Sequence, residues 1–301
     1  MKADQGLTAG RRQKLRLLPY LYIAPITLIL LTFVVGSLAI AVYFSFTKYN
    51  IITPAEFNGL YNYKRLLHDK KLWTSLVNTI KITAMVVPVQ VLLSTILAAL
   101  IVSRKKTLLG RFARAAVFIP VLSSYAVIGT VWKALLNGGN PIVMSVFGLF
   151  GIDPTMLLGD SSTAIVTLAM IIVWKGLGYH LIIALSYLMS IPDTYYDAAR
   201  VDGANRFHIF TRITLPLLKP AIVLNTFLCL ISSMQAFDLV YTMTGGGPAM
   251  STTTMVMYAY QLTFKNGKAG YAMTVTNVLM LIVLILVLLQ QRFVKRDYSE
   301  V

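Results

Sequence analysis

An all-α polytopic membrane protein with six transmembrane helices is the fold class that this sequence predicts, and three observations carry the prediction. Only 13% of the 301 residues are charged and 57% are hydrophobic, whereas about a quarter of the residues in soluble domains are charged. The mean hydropathy is +0.71, and the apolar residues fall in runs that reach the roughly 20 residues a membrane helix needs. Lys and Arg give a net charge of +16 but punctuate the apolar runs instead of forming a continuous patch, which excludes nucleic acid as a partner. The one cysteine, Cys229, lies within an apolar run, so no intramolecular disulfide, CxxC pair or Cys/His metal set is available.

The first run follows the basic stretch RRQKLR, opens near Tyr20 and continues to about Phe46. That exceeds the ~7–15 apolar residues of a signal-peptide core and predicts a first membrane helix. The full set of spans is predicted at roughly 20–46, 75–102, 113–136, 163–189, 220–243 and 271–291. Pro88 is tolerated within the second, and Pro120 predicts a kink in the third. With the amino terminus inside, 17 of the 27 Lys and Arg residues fall in cytoplasmic segments. They include Arg11 and Arg12, the cluster Arg104, Lys105, Lys106, Arg111 and Arg114, and Arg292 near the end of the chain. Both termini are then cytoplasmic. Aromatics such as Tyr20, Trp73, Trp132 and Tyr258 mark the membrane–water interfaces. The organisation expected is a cytoplasmic basic segment 1–19, one membrane domain 20–293 and a cytoplasmic tail 294–301. The external loops, about 47–72, 137–162 and 244–270, are too short for a domain of their own.

Between the fourth and fifth spans lies TYYDAARVDGANRFHIFTRITLPLLKP, residues 194–220. Ser190, Ile191, Pro192 and Asp193 have the form of a helix start. Gly203 suits the left-handed residue that ends a helix, and Asn205 can cap a second short helix that Pro216 stops. A solvated amphipathic connection would account for the charges. Such a connection needs only a few residues, and a capped, glycine-hinged one of this length suggests a docking element.

The pattern Asp197-Ala198-Ala199, three residues, Gly203, then Ile213-Thr214-Leu215-Pro216 resembles the EAA loop of permease subunits of binding-protein-dependent ABC importers, with Asp where Glu is usual. PYLYIAPI before the first span and AFDLVYTMTGGGPAMSTTTM after the fifth resemble the sugar-type, MalF-like permeases. The resemblance implies the type I importer permease fold. It implies that Asp197, Ala198, Ala199, Asp202, Gly203 and Ala204 form a coupling helix, within the cytoplasmic loop 191–219, that docks on an ATP-binding subunit. The partners implied are a second permease subunit, an ATP-binding subunit dimer, an extracellular or periplasmic solute-binding protein and the lipids of the cytoplasmic membrane. No GxxxxGK[ST] occurs, so no cofactor is expected in this chain, and ATP and Mg belong to the partner ATPase.

Lys81, Lys175, His180 and Asp238 lie within predicted spans, where ionisable groups are expensive and functional by default. Lys81 can snorkel, and His180 has no ligand-spaced neighbour, which reads as a hydrogen-bonded structural histidine. Lys175 and Asp238 either pair or line a wet path. In the fifth span Ser232, Gln235 and Asp238 follow helical spacing; a stripe of hydrogen-bonding groups with nearby aromatics suits a polyhydroxylated ligand, though interhelical hydrogen bonding explains it equally. Gly176 and Gly178 thin the fourth span, and Tyr179 shares a face with Gly176. The resemblance implies that Gly176, Tyr179, Ser232, Gln235 and Ala236 line the substrate path, with Tyr125 from the third span. The function expected is a permease for a mono- or oligosaccharide, and not an enzyme. The alternatives are an ABC permease for glycerol phosphate or another small polar solute, whose anion Lys175 leaves open, and an ion-coupled secondary transporter, for which one deep acid and no evident repeat speak poorly. A membrane enzyme would need a constellation that three scattered histidines and Cys229 do not form.

Overall fold

The computed structural model of the chain describes residues 9–102 and 107–298. The predicted basic cluster Arg104, Lys105 and Lys106, with Lys2 and the last residues of the predicted tail, lies outside the described residues. In chain order the elements are α1 (Ala9–Leu30), a wide π turn (Leu31–Val35), α2 (Gly36–Ser45), β1 (Thr47–Lys48), β2 (Glu56–Phe57), α3 (Tyr61–Leu66) and α4 (Lys70–Val102). Then come α5 (Leu108–Leu122), α6 (Tyr125–Leu135), α7 (Pro141–Gly148), α8 (Met156–Gly159), α9 (Ser161–Ser190), α10 (Asp193–Val201) and α11 (Arg206–Ile209). A second wide turn (Phe210–Thr214) leads to α12 (Leu215–Leu217), α13 (Lys219–Met234), α14 (Asp238–Met243), α15 (Met255–Tyr260), a third wide turn (Gln261–Lys265) and α16 (Ala269–Tyr298).

Among the described residues, Tyr20–Ser45, Lys70–Val102, Ser161–Ser190, Lys219–Met243 and Ala269–Arg292 are long and apolar enough to cross a membrane, and Gly110–Leu122 with Tyr125–Leu135 make a sixth if taken as one broken span. Three expectations are corrected in detail. The third span is not a helix kinked at Pro120: its halves meet at 98°, and the turn falls at Ser123 and Ser124, both extended. Serine side chains compete with the helix for backbone partners, and the Ser124 hydroxyl caps α6 by accepting from Val127 N at 3.2 Å. The fifth span is not continuous: α13 ends at Met234 and helix resumes at Asp238. The Ala236 carbonyl at that break accepts from Thr254 Oγ1 at 2.8 Å, which meets its hydrogen-bonding need inside the protein. Pro216 does not stop a helix either. It sits inside α12, directly after the wide turn, whose displaced bonding pattern absorbs the amide that proline lacks.

The chain groups into two compact units, Met1–Leu67 with Leu262–Asn277, and His68–Gln261 with Val278–Val301. In the first, β1 and β2 form a short antiparallel hairpin with Thr47 opposite Phe57. Buried Asn62 ties α3 to the end of α2, donating to the Ser45 and Thr47 carbonyls at 2.9 Å each. The second unit holds the larger core. Ile82 and Val86 of α4, Leu168 of α9, Val240 of α14 and Met257 of α15 are buried together in it. A separate cluster toward the far end of α9 joins Ala98, Leu181, Ala184 and Leu188 to Leu218 and Ala221. Many apolar side chains along the spans are left exposed, as in a chain whose spans need no water-driven burial.

Candidate functional site

The segment between α9 and α13 is built from its caps. α10 ends in a Schellman motif: the Ala204 amide donates to the Ala199 carbonyl at 2.9 Å and the Gly203 amide to that of Arg200 at 3.1 Å. Gly203 takes φ +74°, the left-handed conformation that penalises a side chain. Asn205 Oδ1 then accepts from His208 N at 2.8 Å and starts α11. The predicted helix, glycine turn and helix are therefore all present. Asp197 pairs with Arg200 at 2.7 Å on the solvent side, and such an exposed pair adds little. Ala198 is exposed and Ala199 is buried against its own chain, so of the two adjacent alanines only Ala198 is offered to another protein. Tyr195, Val201 and Phe207 stand out at 54%, 88% and 71% exposure. They lie outside every span, where exposed apolar groups mark a contact surface.

The predicted path residues separate into two groups. Around the breaks, Tyr125 begins α6, Gln235 ends α13 and Asp238 begins α14. Lys175, midway along α9, lays its ammonium over the Tyr125 ring at 4.1 Å from the centroid. This is a cation–π contact. Among the described residues Lys175 makes no ion pair with Asp238, so that pairing is not how its charge is met. Asp238 and Cys229 lie within electrostatic reach of the Tyr125 hydroxyl. Gln235, Asp238 and Ser232 are exposed and Ala236 is half-buried. The Ser232 hydroxyl turns back to the Cys229 carbonyl at 3.1 Å. Because helix is lost after Met234, the polar stripe Ser232, Gln235, Asp238 does not run along one helical face.

On α9, Gly176 backs onto Gln90 of α4: a methyl there would stand 3.3 Å from Gln90 Oε1. Tyr179 is half-exposed and meets the His180 ring edge-on. His180 is structural in its contacts. Its Nδ1 lies 3.0 Å from Asn225 Oδ1, and Asn225 Nδ2 donates to the His180 carbonyl at 3.0 Å, which joins α9 to α13. Gly178 faces α5, beside a cavity of about 250 Å³ lined also by Arg114, Phe118 and Leu185. This cavity is not the one expected between Gly176 and Gln235.

Sequence reasoning missed two features. Gln90 is 1% exposed and its Nε2 has no hydrogen-bond partner; the signal was a lone amide in the apolar run PVQVLL. The other is a group of three rings beside the second break. Phe237 stacks on Tyr241 at 5.5 Å and meets Tyr260 at 5.1 Å, and Tyr241 meets Tyr260 edge-on at 5.2 Å. The Tyr260 hydroxyl donates a hydrogen bond to Tyr241, which raises it above the usual tyrosine range, with a smaller effect from burial. The i, i+4 spacing of Phe237 and Tyr241 was readable, but the approach of Tyr260 was not.

The model of the family of binding-protein-dependent transport system inner membrane components matches residues 67–297. The probable ABC transporter permease protein YurN of Bacillus subtilis is 29% identical over 288 residues, which cover 95% of this chain and 98% of the relative. The lactose transport system permease protein LacF of Rhizobium radiobacter is 35% identical, over 78% of this chain and 80% of its own. The trehalose/maltose transport system permease protein MalF of Thermococcus litoralis is 30% identical over 85% and 87%. A solved bacterial ABC transporter that imports the acidic polysaccharide alginate has a chain that superposes with a TM-score of 0.82 at 20% identity, covering 94% of this chain and 96% of that one. At that identity the likeness speaks to fold.

Proposed function

We infer the function from one premise: the chain belongs to the family of binding-protein-dependent transport system inner membrane components. It is a multi-pass membrane permease subunit of an ABC importer, and its cargo is a carbohydrate. The cargo class rests on relatives named for multiple sugars, lactose and trehalose/maltose. The observation that carries the mechanism is the capped helix–glycine–helix segment outside the spans, with Ala198, Val201 and Phe207 uncovered. In this reading the segment docks on an ATP-binding subunit in the cytoplasm, and both chain termini share that side. A solute-binding protein presents sugar at the opposite face. Closure of the ATPase dimer on ATP and Mg pulls on α10, which passes the motion to α9 and α13, the two helices that the segment joins. The breaks beside Tyr125 and Gln235 are the points at which the outer halves of the third and fifth spans can move separately from the inner halves. Tyr125, Gln235, Ala236 and Asp238, with Gly176, Tyr179 and Ser232, are the residues assigned to the path. A second permease subunit completes it.

A neutral sugar fits better than glycerol phosphate. Lys175 is buried and engaged with the Tyr125 ring instead of being open to an anion. The test is cysteine cross-linking. Cys introduced at Ala198 should capture an ATP-binding subunit in native membranes, and Cys at buried Ala199 should capture much less. Failure of both Ala198→Cys and Val201→Cys to cross-link would remove the docking assignment.

A further inference from the structure

The three rings beside the second helix break have a geometry that the path described above does not use. Tyr241 is 46% exposed and is backed by Phe237 and Tyr260, both half-buried. Asp238 is exposed and lies three residues before Tyr241, on the same face of α14. The mounting is stiff. Gly129 of α6 packs so closely on Thr242 that a side chain there would collide with it. The Thr254 hydroxyl holds the Ala236 carbonyl, and the Gly245 amide returns to the Val240 carbonyl at 2.8 Å. A flat ring with hydrogen-bonding carboxylate and hydroxyl groups at its edge matches the two sides of a sugar, whose axial C–H bonds form an apolar face and whose hydroxyls project around the rim. Aromatic packing within a core would explain Phe237 and Tyr260, but it does not explain a ring left half-open beside an exposed carboxylate.

We propose that Tyr241, braced by Phe237 and Tyr260 and flanked by Asp238, is a stacking subsite for one sugar ring at the outer end of the path, occupied before the sugar reaches the helix break. The proposal rests on the carbohydrate reading above and adds a place and a contact to it. Tyr241 supplies the face, and Asp238 accepts hydrogen bonds from two adjacent hydroxyls. Phe237 and the Tyr260 hydroxyl keep the Tyr241 ring from rotating away.

The test is saturation-transfer difference NMR on the chain purified with its partner subunits, with methyl α-glucopyranoside and methyl β-galactopyranoside as ring probes and sorbitol as the open-chain control. Saturation should pass to the ring C–H protons of a probe and not to sorbitol. The signal should fall about 3- to 10-fold in Tyr241→Ala, the range one aromatic contact is worth, and fall less in Tyr241→Phe, which keeps the ring but loses its hydrogen bond with Tyr260. Tyr260→Phe, which keeps the ring and loses the brace, should give an intermediate loss. Equal transfer from wild type and Tyr241→Ala, in complexes that assemble in equal amounts with their partner subunits, would overturn the subsite and leave the transport reading standing. Equal transfer to sorbitol would also overturn it. A wild-type complex that neither transfers saturation to either sugar nor takes up any sugar would remove the carbohydrate reading and the subsite with it.

Discussion

Gly176 and Gly178 are two residues apart on α9 and face different obstacles. A methyl at Gly178 would stand 2.5 Å from the Val117 carbonyl oxygen, which is backbone and cannot turn aside. At Gly176 the obstacle is the mobile end of the Gln90 side chain. Gly178→Ala should therefore destabilise the purified complex by ~1–3 kcal/mol, as overpacking does. Gly176→Ala should be close to neutral, because a small shift of Gln90 is offset by roughly 1 kcal/mol of helix preference. Thermal unfolding of the two variants in detergent checks this, and equal losses would show that the helix contacts are misassigned. Asp160 offers a pH test. Its carboxylate caps α9 and is held below the usual range by its bond from the Ser162 hydroxyl, then by backbone amides. A lowered folded value contributes stability above the ordinary value of about 3.9, and that contribution is lost as pH falls through the folded value. Asp160→Asn should melt below wild type at pH 7, and the gap should close as the pH is lowered past 4. At this scale the residues with a local cause were legible: Gly203 from its turn, Asn205 from its cap. Gln90 and Tyr260 were not, because their meaning comes from a partner far away in sequence.

Among the elements, the glycine turn and the Asn205 cap of the segment between α9 and α13 were readable, since they are local chemistry. Its start was not, because Ser190 ends α9 with its hydroxyl on the Tyr187 carbonyl and α10 begins after Pro192 without a side-chain cap. Replacing Gly203 with Val should cost ~1–2 kcal/mol at the left-handed position. Binding-protein-stimulated ATPase activity in membrane vesicles should fall while the amount of inserted protein stays constant. Unchanged coupling at unchanged insertion would mean that the turn does not position the contact. The spans were legible in number and approximate place from apolar run length. Their breaks were not. Hydropathy averages over Ser123–Ser124 and over Gln235–Phe237; the first break rests on the local Ser124 cap and the second on a contact distant in sequence, Thr254 with Ala236. Pro120 and Pro216 were misleading as well. Proline removes one hydrogen bond, and neighbouring geometry decides whether the helix bends there or elsewhere.

For the whole molecule, basic-residue bias and the family agree on a multi-pass subunit, and the bias predicts that the span ends at Lys70 and Lys268 face outside. Reporter fusions there should read external, and fusions at Lys106 and Glu300 should read cytoplasmic; a reversed result at Lys106 would invert the assignment. The family match begins at Leu67, where the first unit's leading segment ends. The helix breaks, the path residues and the helix–glycine–helix segment therefore lie in the part of the chain that the family shares. The central claim is that this chain moves carbohydrate with energy supplied by a separate ATP-binding subunit. The most direct measurement is uptake of labelled sugar into proteoliposomes that contain the chain with its partner permease, ATPase and binding protein. The account predicts uptake that requires ATP at the cytoplasmic side, requires the binding protein at the other, and survives ionophores that collapse proton and sodium gradients. Sugar uptake by the permease chains without the ATPase, driven by an ion gradient and abolished by those ionophores, would contradict it.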